Sequence, residues 1–203
     1  MTRTLAILAL AATLPVSAAS IQFSVKDARG AAVENAVVWA VPKNAPPPRA
    51  RREAAVEQKN KQFAPMVTVV QTNTLIQFPN RDEIRHHVYS FSLPKTFELK
   101  LYAGTAAPPI LFDKPGEVIL GCNIHDNMLG YIYVVDTPWF AKTRADGSAR
   151  IDELPAGDYE VQLWHYAQSA MPAMQPVKLR ADENFPAAFT LTLKAQTPRP
   201  GTK

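Results

Sequence analysis

A single cysteine among 203 residues excludes any disulfide within the chain, so Cys122 must be a buried thiol, a reactive group or a metal ligand. There is no basic stripe: 22 Lys and Arg stand against 18 Asp and Glu and are spread along the chain, which sets nucleic-acid binding aside. There is no internal repeat, and only the short RREAAVEQ has helical periodicity. Beyond the first nineteen residues there is no apolar run long enough to span a bilayer. What is abundant is proline, at 18, which disfavours long helices and favours strands joined by turns. With 47% hydrophobic residues the chain can build a core, and an all-β fold is expected.

Residues 1–19, MTRTLAILALAATLPVSAA, combine Arg3, an apolar run from Leu5 to Leu14 and small residues around a cleavage point after Ala18 or Ala19. This is the pattern of a Sec-type signal peptide, and its run is shorter than the ~20 residues of a spanning helix. The mature protein is therefore expected in the periplasm or secreted, without a membrane span after cleavage. In such an oxidising compartment an unpaired thiol is unusual, so Cys122 needs a reason.

Along the mature chain, IQFSV alternates Ile21, Phe23 and Val25 with Gln22 and Ser24, the period of a half-buried strand. After AVVWAV comes PKNAPPPRARR, read as a solvated surface linker. Then TLIQF, HHVYSFSL, TFELKLYAG, EVILGC and YIYVV follow one another between proline-bearing breaks, the rhythm of a small antiparallel sandwich. SARIDEL, DYEVQLW and FTLTL repeat the style in the last third.

The chemistry concentrates in GCNIHDNMLGY, where Cys122, His125 and Met128 follow an apolar strand at C-x2-H-x2-M. A thiolate and imidazoles in a plane with a weak axial thioether form the ligand set of a blue-copper centre, which needs one more histidine. His86 and His87 are the candidates. Zinc would call for further thiolates or imidazoles in place of a thioether. Met66, Met171 and Met174 lie outside the pattern and read as filler, His165 as a hydrogen-bonded surface histidine, and Asp126 and Asn127 as exposed loop residues.

This segment resembles the cupredoxins, with the ligand-loop spacing of amicyanin and a near likeness to plastocyanin and pseudoazurin. Asn80 stands six residues before His86 and Val88 two after it, a register the family shares, and the resemblance makes His86 the ligand and Asn80 a supporting residue. His87 occupies the place of the family's loop-tying asparagine and stands as a second-shell or alternative ligand. The pattern from about residue 57 to 136 also looks like periplasmic plastocyanin-like proteins labelled as methylamine utilisation proteins. The flanks, IQFSVKDARGAAVENAVVWAV and TRADGSARIDELPAGDYEVQLWH, resemble the two halves of transthyretin-like or carboxypeptidase-regulatory-like sandwiches.

These likenesses imply an all-β chain in which a cupredoxin Greek-key sandwich is inserted in, or joined to, a small transthyretin-like β-sandwich. The expected division is a signal peptide at 1–19, a discontinuous sandwich at 20–44 plus 137–195, a Pro/Arg-rich linker at 45–56, a cupredoxin domain at 57–136 and a tail at 196–203. The implied function is a one-electron carrier with one type 1 copper held by His86, Cys122, His125 and Met128. Four histidines cannot supply a second, catalytic copper cluster, and a coordinatively closed site lacks an open position, so no enzymatic activity is expected. The partner would be a redox protein docking transiently near His125, with Ile124, Leu129 and Pro94 as apolar rim, and the carrier itself a monomer. The alternative is a periplasmic copper-handling or adhesion-type binding module without redox turnover.

Overall fold

The computed structural model describes residues 18–48, 50–104, 107–125 and 127–194. The body of the expected signal peptide, Asp126 and the expected tail lie outside the described residues. Every named element is a β-strand, and the fold is all-β.

Both ends of the chain build one sandwich. In β1 (Ala19–Asp27) the side chains of Ile21, Phe23 and Val25 are buried while Gln22 and Ser24 are exposed, as the alternation requires. β1 pairs antiparallel with β14 (Ser148–Leu154) and parallel with β17 (Asn184–Leu191). The facing sheet has the order β13 (Phe140–Lys142), β2 (Val37–Pro42), β15 (Gly157–Trp164), β16 (Gln175–Leu179). Ile21, Phe23, Val161, Leu163, Phe189 and Leu191 meet in the core between these sheets. A hairpin such as β1 with its neighbour would be marginal alone, so the first strands depend on partners more than a hundred residues away. Gly147 is required where this sheet turns: its φ is +74°, and a Cβ there would lie 2.4 Å from the Val25 carbonyl oxygen.

The central sandwich has a five-stranded sheet in the order β6 (Val67–Gln71), β12 (Leu129–Val135), β11 (Gly116–Gly121), β8 (His86–Ser92), β9 (Lys95–Tyr102). Against it lies a three-stranded sheet, β10 (Ile110–Phe112), β7 (Thr74–Gln77), β3 (Arg52–Ala55). A hairpin of β4 (Glu57–Lys59) and β5 (Gln62–Ala64) turns through Asn60 and Lys61, whose φ values of 56° and 57° are both left-handed, as a tight hairpin turn of the primed type demands. The core holds Phe63, Ile76, Phe78, Val88, Phe112, Leu120 and Ile132 together with Cys122 and Met128.

Two sequence expectations change here. The linker span 45–56 contributes a strand, since residues 52–55 pair in parallel with β7. RREAAVEQ, the one segment with helical period, is extended: Val56 and Gln58 are buried on the same side, and strand pairing outweighs the helix propensity of its alanines.

The two sandwiches meet through an aromatic layer. Val37, Trp39 and Trp164 of the flanking sheet pack on Val67, Tyr131, Tyr133 and Val135 of the outer face of the five-stranded sheet. Tyr133 stacks on Trp164 at 4.7 Å and Tyr131 on Tyr166 at 4.8 Å between ring centroids. Glu117 lies at this seam, in a cleft of about 550 Å³ that Trp164, His165, Tyr166 and Lys194 also line. Burial holds its carboxyl above the usual range, although a hydrogen bond from Trp164 and the Lys194 charge pull the other way. The phenol of Tyr133 is pushed up to about 12 by burial and by the Glu117 charge. His165 is buried here and is not a surface residue: its Nδ1 accepts the Ala167 N–H at 3.2 Å, and burial lowers its pKa.

Candidate metal centre

The apolar alternation of β11 buries Val118 and Leu120 and carries the next residue of the same parity, Cys122, inward at the strand's end. Gly121 is needed for this exit, because a Cβ there would sit 2.6 Å from the ring of Tyr89. The following loop closes on itself through a Met128 N–H to His125 C=O bond of 2.9 Å, returning the chain to β12. His86 opens β8, the neighbouring strand.

These elements bring three donor atoms together. Cys122 Sγ lies 3.9 Å from His86 Nδ1 and 3.8 Å from His125 Nδ1, and all three atoms fall within 4.8 Å of one another. His86 is fully buried, Cys122 is 5% exposed and His125 is half-buried. Met128 is 1% exposed and shares the apolar cluster of Cys122. Burial, then the neighbouring His86 and Lys61, lower the pKa of His125, against the opposing pull of the Asp82 charge.

The spacing fits a metal ion. One thiol and two imidazoles gathered within 4.8 Å form a donor set for which copper has high affinity.

His87 does not join the group. Adjacent residues on a strand face opposite ways; the His87 ring packs at 5.5 Å from that of Tyr89, and its Nε2 lies 2.8 Å from Glu98 Oε1. Its Nδ1 is buried without a partner, so it makes no hydrogen bond to the Cys122 loop. Asn80 shapes the ligand loop: its side-chain amide donates to Ile84 C=O at 2.8 Å and Tyr102 C=O at 3.0 Å, and its Oδ1 accepts the Asp82 N–H at 2.9 Å.

Sequence reasoning missed Asp82, whose Oδ2 lies 2.7 Å from His86 Nε2. Burial opposes its charge, but hydrogen bonds from Lys61 N–H, His86 and Asn60 N–H outweigh that and hold its carboxyl below the usual range. The signal was present as Asn80-x-Asp82, an Asx-turn pattern four residues ahead of a histidine. Gln58 and Tyr102 were also missed. The Gln58 amide donates to the Tyr102 hydroxyl and to Phe78 C=O, and burial, together with the nearby Cys122, raises the phenol.

Around the site, Ile124 and Leu129 are exposed at 45% and 44%. Pro94 is not part of that rim. It belongs to the β8–β9 turn and packs against Gly116, at the end of β11 opposite to Cys122. Met171 and Met174 are exposed, and Met66 is partly buried against the aromatic layer between the sandwiches. Among the described residues no helix is long and apolar enough to cross a membrane.

No family model matches the chain, and comparison with curated proteins finds no match. Solved structures do show similarity. A copper-containing nitrite reductase (NirK) from Thermus scotoductus SA-01 is 27% identical over 40% of this chain and 22% of its own, with a TM-score of 0.38. A purple cupredoxin from Nitrosopumilus maritimus is 16% identical over 40% of this chain and 99% of its own, with a TM-score of 0.36. Amicyanin from Paracoccus versutus is 14% identical over 40% of this chain and 80% of its own, also with a TM-score of 0.36.

Proposed function

We propose that this chain is an exported cupredoxin-type protein that binds one type 1 copper and carries one electron at a time. The observation that carries the reading is the convergence of Cys122 Sγ with His86 Nδ1 at 3.9 Å and His125 Nδ1 at 3.8 Å, beside an apolar core. Bound there, copper supplies a reversible one-electron couple. The chain's part is to hold the donors. His86 and Cys122 are buried and shut out water, and the thioether of Met128, buried in the same cluster as Cys122, would serve as the further, weaker donor. His125, half-buried between the exposed Ile124 and Leu129, is the edge through which an electron reaches a transiently docked redox protein. A site filled by His86, Cys122, His125 and Met128 would leave no open position for substrate chemistry, and we assign no enzymatic role.

Residues 1–19 direct export, and the ligands come together only in the folded chain, so metal is acquired outside the cytoplasm. We read the flanking sandwich, built from both ends of the chain around one core, as of the transthyretin-like kind. Copper titration tests the reading. The purified mature protein should take up one equivalent of copper(II) with intense visible absorption and reversible one-electron reduction, and Cys122→Ser should abolish the band. A colourless protein that holds only copper(I) would favour copper handling without redox turnover. Leu129→Asp should slow electron transfer to the partner while leaving the spectrum intact; loss of both would point to misfolding.

A further inference from the structure

One carboxylate joins the donor cluster to a surface turn. Asp82 Oδ2 lies 2.7 Å from His86 Nε2 and accepts the Lys61 N–H at 2.9 Å, while Oδ1 accepts the Asn60 N–H at 2.7 Å. Asn60 and Lys61 are the two central residues of the β4–β5 turn. Asp82 is itself held by its N–H bond to Asn80 Oδ1. Three donors from two separate segments therefore converge on one side chain.

We propose that Asp82 is a positioning residue that ties His86 to the tip of the β4–β5 hairpin and, through that tie, sets the preference of the centre for copper(II) over copper(I). The inference rests on the copper reading. A hydrogen bond from Nε2–H to a carboxylate fixes the tautomer that leaves Nδ1 free to bind metal on the Cys122 side, and it makes the ring a more basic donor. A more basic donor favours the ion of higher charge. His86 is fully buried, so no solvent can substitute for the carboxylate. Asparagine could not take its place: its single carbonyl oxygen would have to serve three donors, and its amide would add donors where acceptors are needed. The same carboxylate orders a turn whose two residues are both in the left-handed region, so turn and ligand are held together.

The test compares wild type, Asp82→Asn and Asp82→Glu by copper(II) and copper(I) competition titrations, voltammetry, and amide exchange of the copper-free protein. Asp82→Asn should keep the visible band but lose about 10- to 100-fold in copper(II) affinity. Copper(I) should weaken less, raising the potential by about 59 mV for each tenfold difference. Exchange at the Asn60 and Lys61 amides should quicken about tenfold or more, and Asp82→Glu should recover part of each effect. An unchanged copper(II)/copper(I) preference in folded Asp82→Asn overturns the proposal, even where the turn amides exchange faster, since Asp82 would then only order the turn. If Asp82→Asn does not fold, Asp82→Glu decides: a shifted carboxylate that leaves the preference unmoved also overturns it. Failure of the copper reading looks different, because wild type itself would then show no visible band.

Discussion

The two sandwiches solve the same packing problem but treat polar groups differently. In the flanking sandwich the buried polar side chains are fully paired: Thr143 Oγ1 accepts the Ala36 N–H and donates to Val33 C=O, and Asp27 accepts the Arg29 and Ala31 N–H groups. In the central sandwich His86, His87, Gln58 and Asn80 are buried, and so is the thiol of Cys122, 3.9 Å from His86 Nδ1. Among the described residues, every buried side-chain polar atom without a hydrogen-bond partner lies there: Gln58 Oε1, Thr68 Oγ1, Gln71 Oε1, Thr72 Oγ1 and His87 Nδ1. Of these, His87 Nδ1 adjoins the ligand His86 in sequence, whereas Thr68, Gln71 and Thr72 lie on or just after β6.

The sharpest way to break that contrast is within the histidine pair. His86→Ala should remove a donor and severely weaken or abolish the visible copper band, while His87→Ala, which touches Tyr89 and Glu98 but no donor atom, should leave it in place. The reverse result would overturn the assignment of His86. Next in size, Phe189→Ala in the flanking core should cost about 3–5 kcal/mol of stability in denaturant unfolding, yet leave the spectrum of the folded fraction unchanged. A shifted band would mean that the modules are coupled more tightly than their aromatic seam suggests.

The smallest effect lies at the seam itself. Burial raises the Glu117 carboxyl, so folding favours its protonated form. That contribution is fully present below the ordinary carboxyl pKa and is lost as pH rises through the folded-state value. Glu117→Gln should therefore melt slightly above wild type at pH 7, and the difference should close as pH falls to about 4. A difference that persists unchanged in acid would assign it to packing.

Much of the fold was legible because strand periodicity is local. The alternation in IQFSV and DYEVQLW reads directly as half-buried strands, and both are strands with that burial. The C-x2-H-x2-M run was legible as one loop, since its members are too close in sequence to fold apart. RREAA was less so: its extended form depends on pairing with β7, which no local pattern announces. Pro94 was misplaced for a similar reason, because which end of a sheet a turn occupies follows from strand direction.

What sequence alone determined was the supply of chemistry and the period of the strands: one thiol, four imidazoles, and a strand that buries every second residue. Tertiary structure decided which of two adjacent histidines faces the sulfur. That choice depends on β8 pairing with β11 in a register that sets Tyr89 opposite Gly121 and turns His86 inward. It also decided the role of Asp82, since a 2.7 Å contact needs the Asn80 turn, the β4–β5 tip and the start of β8 in place together. Periodicity travels along a chain residue by residue, whereas a donor cluster is a meeting of segments, and only packing settles which side chains meet.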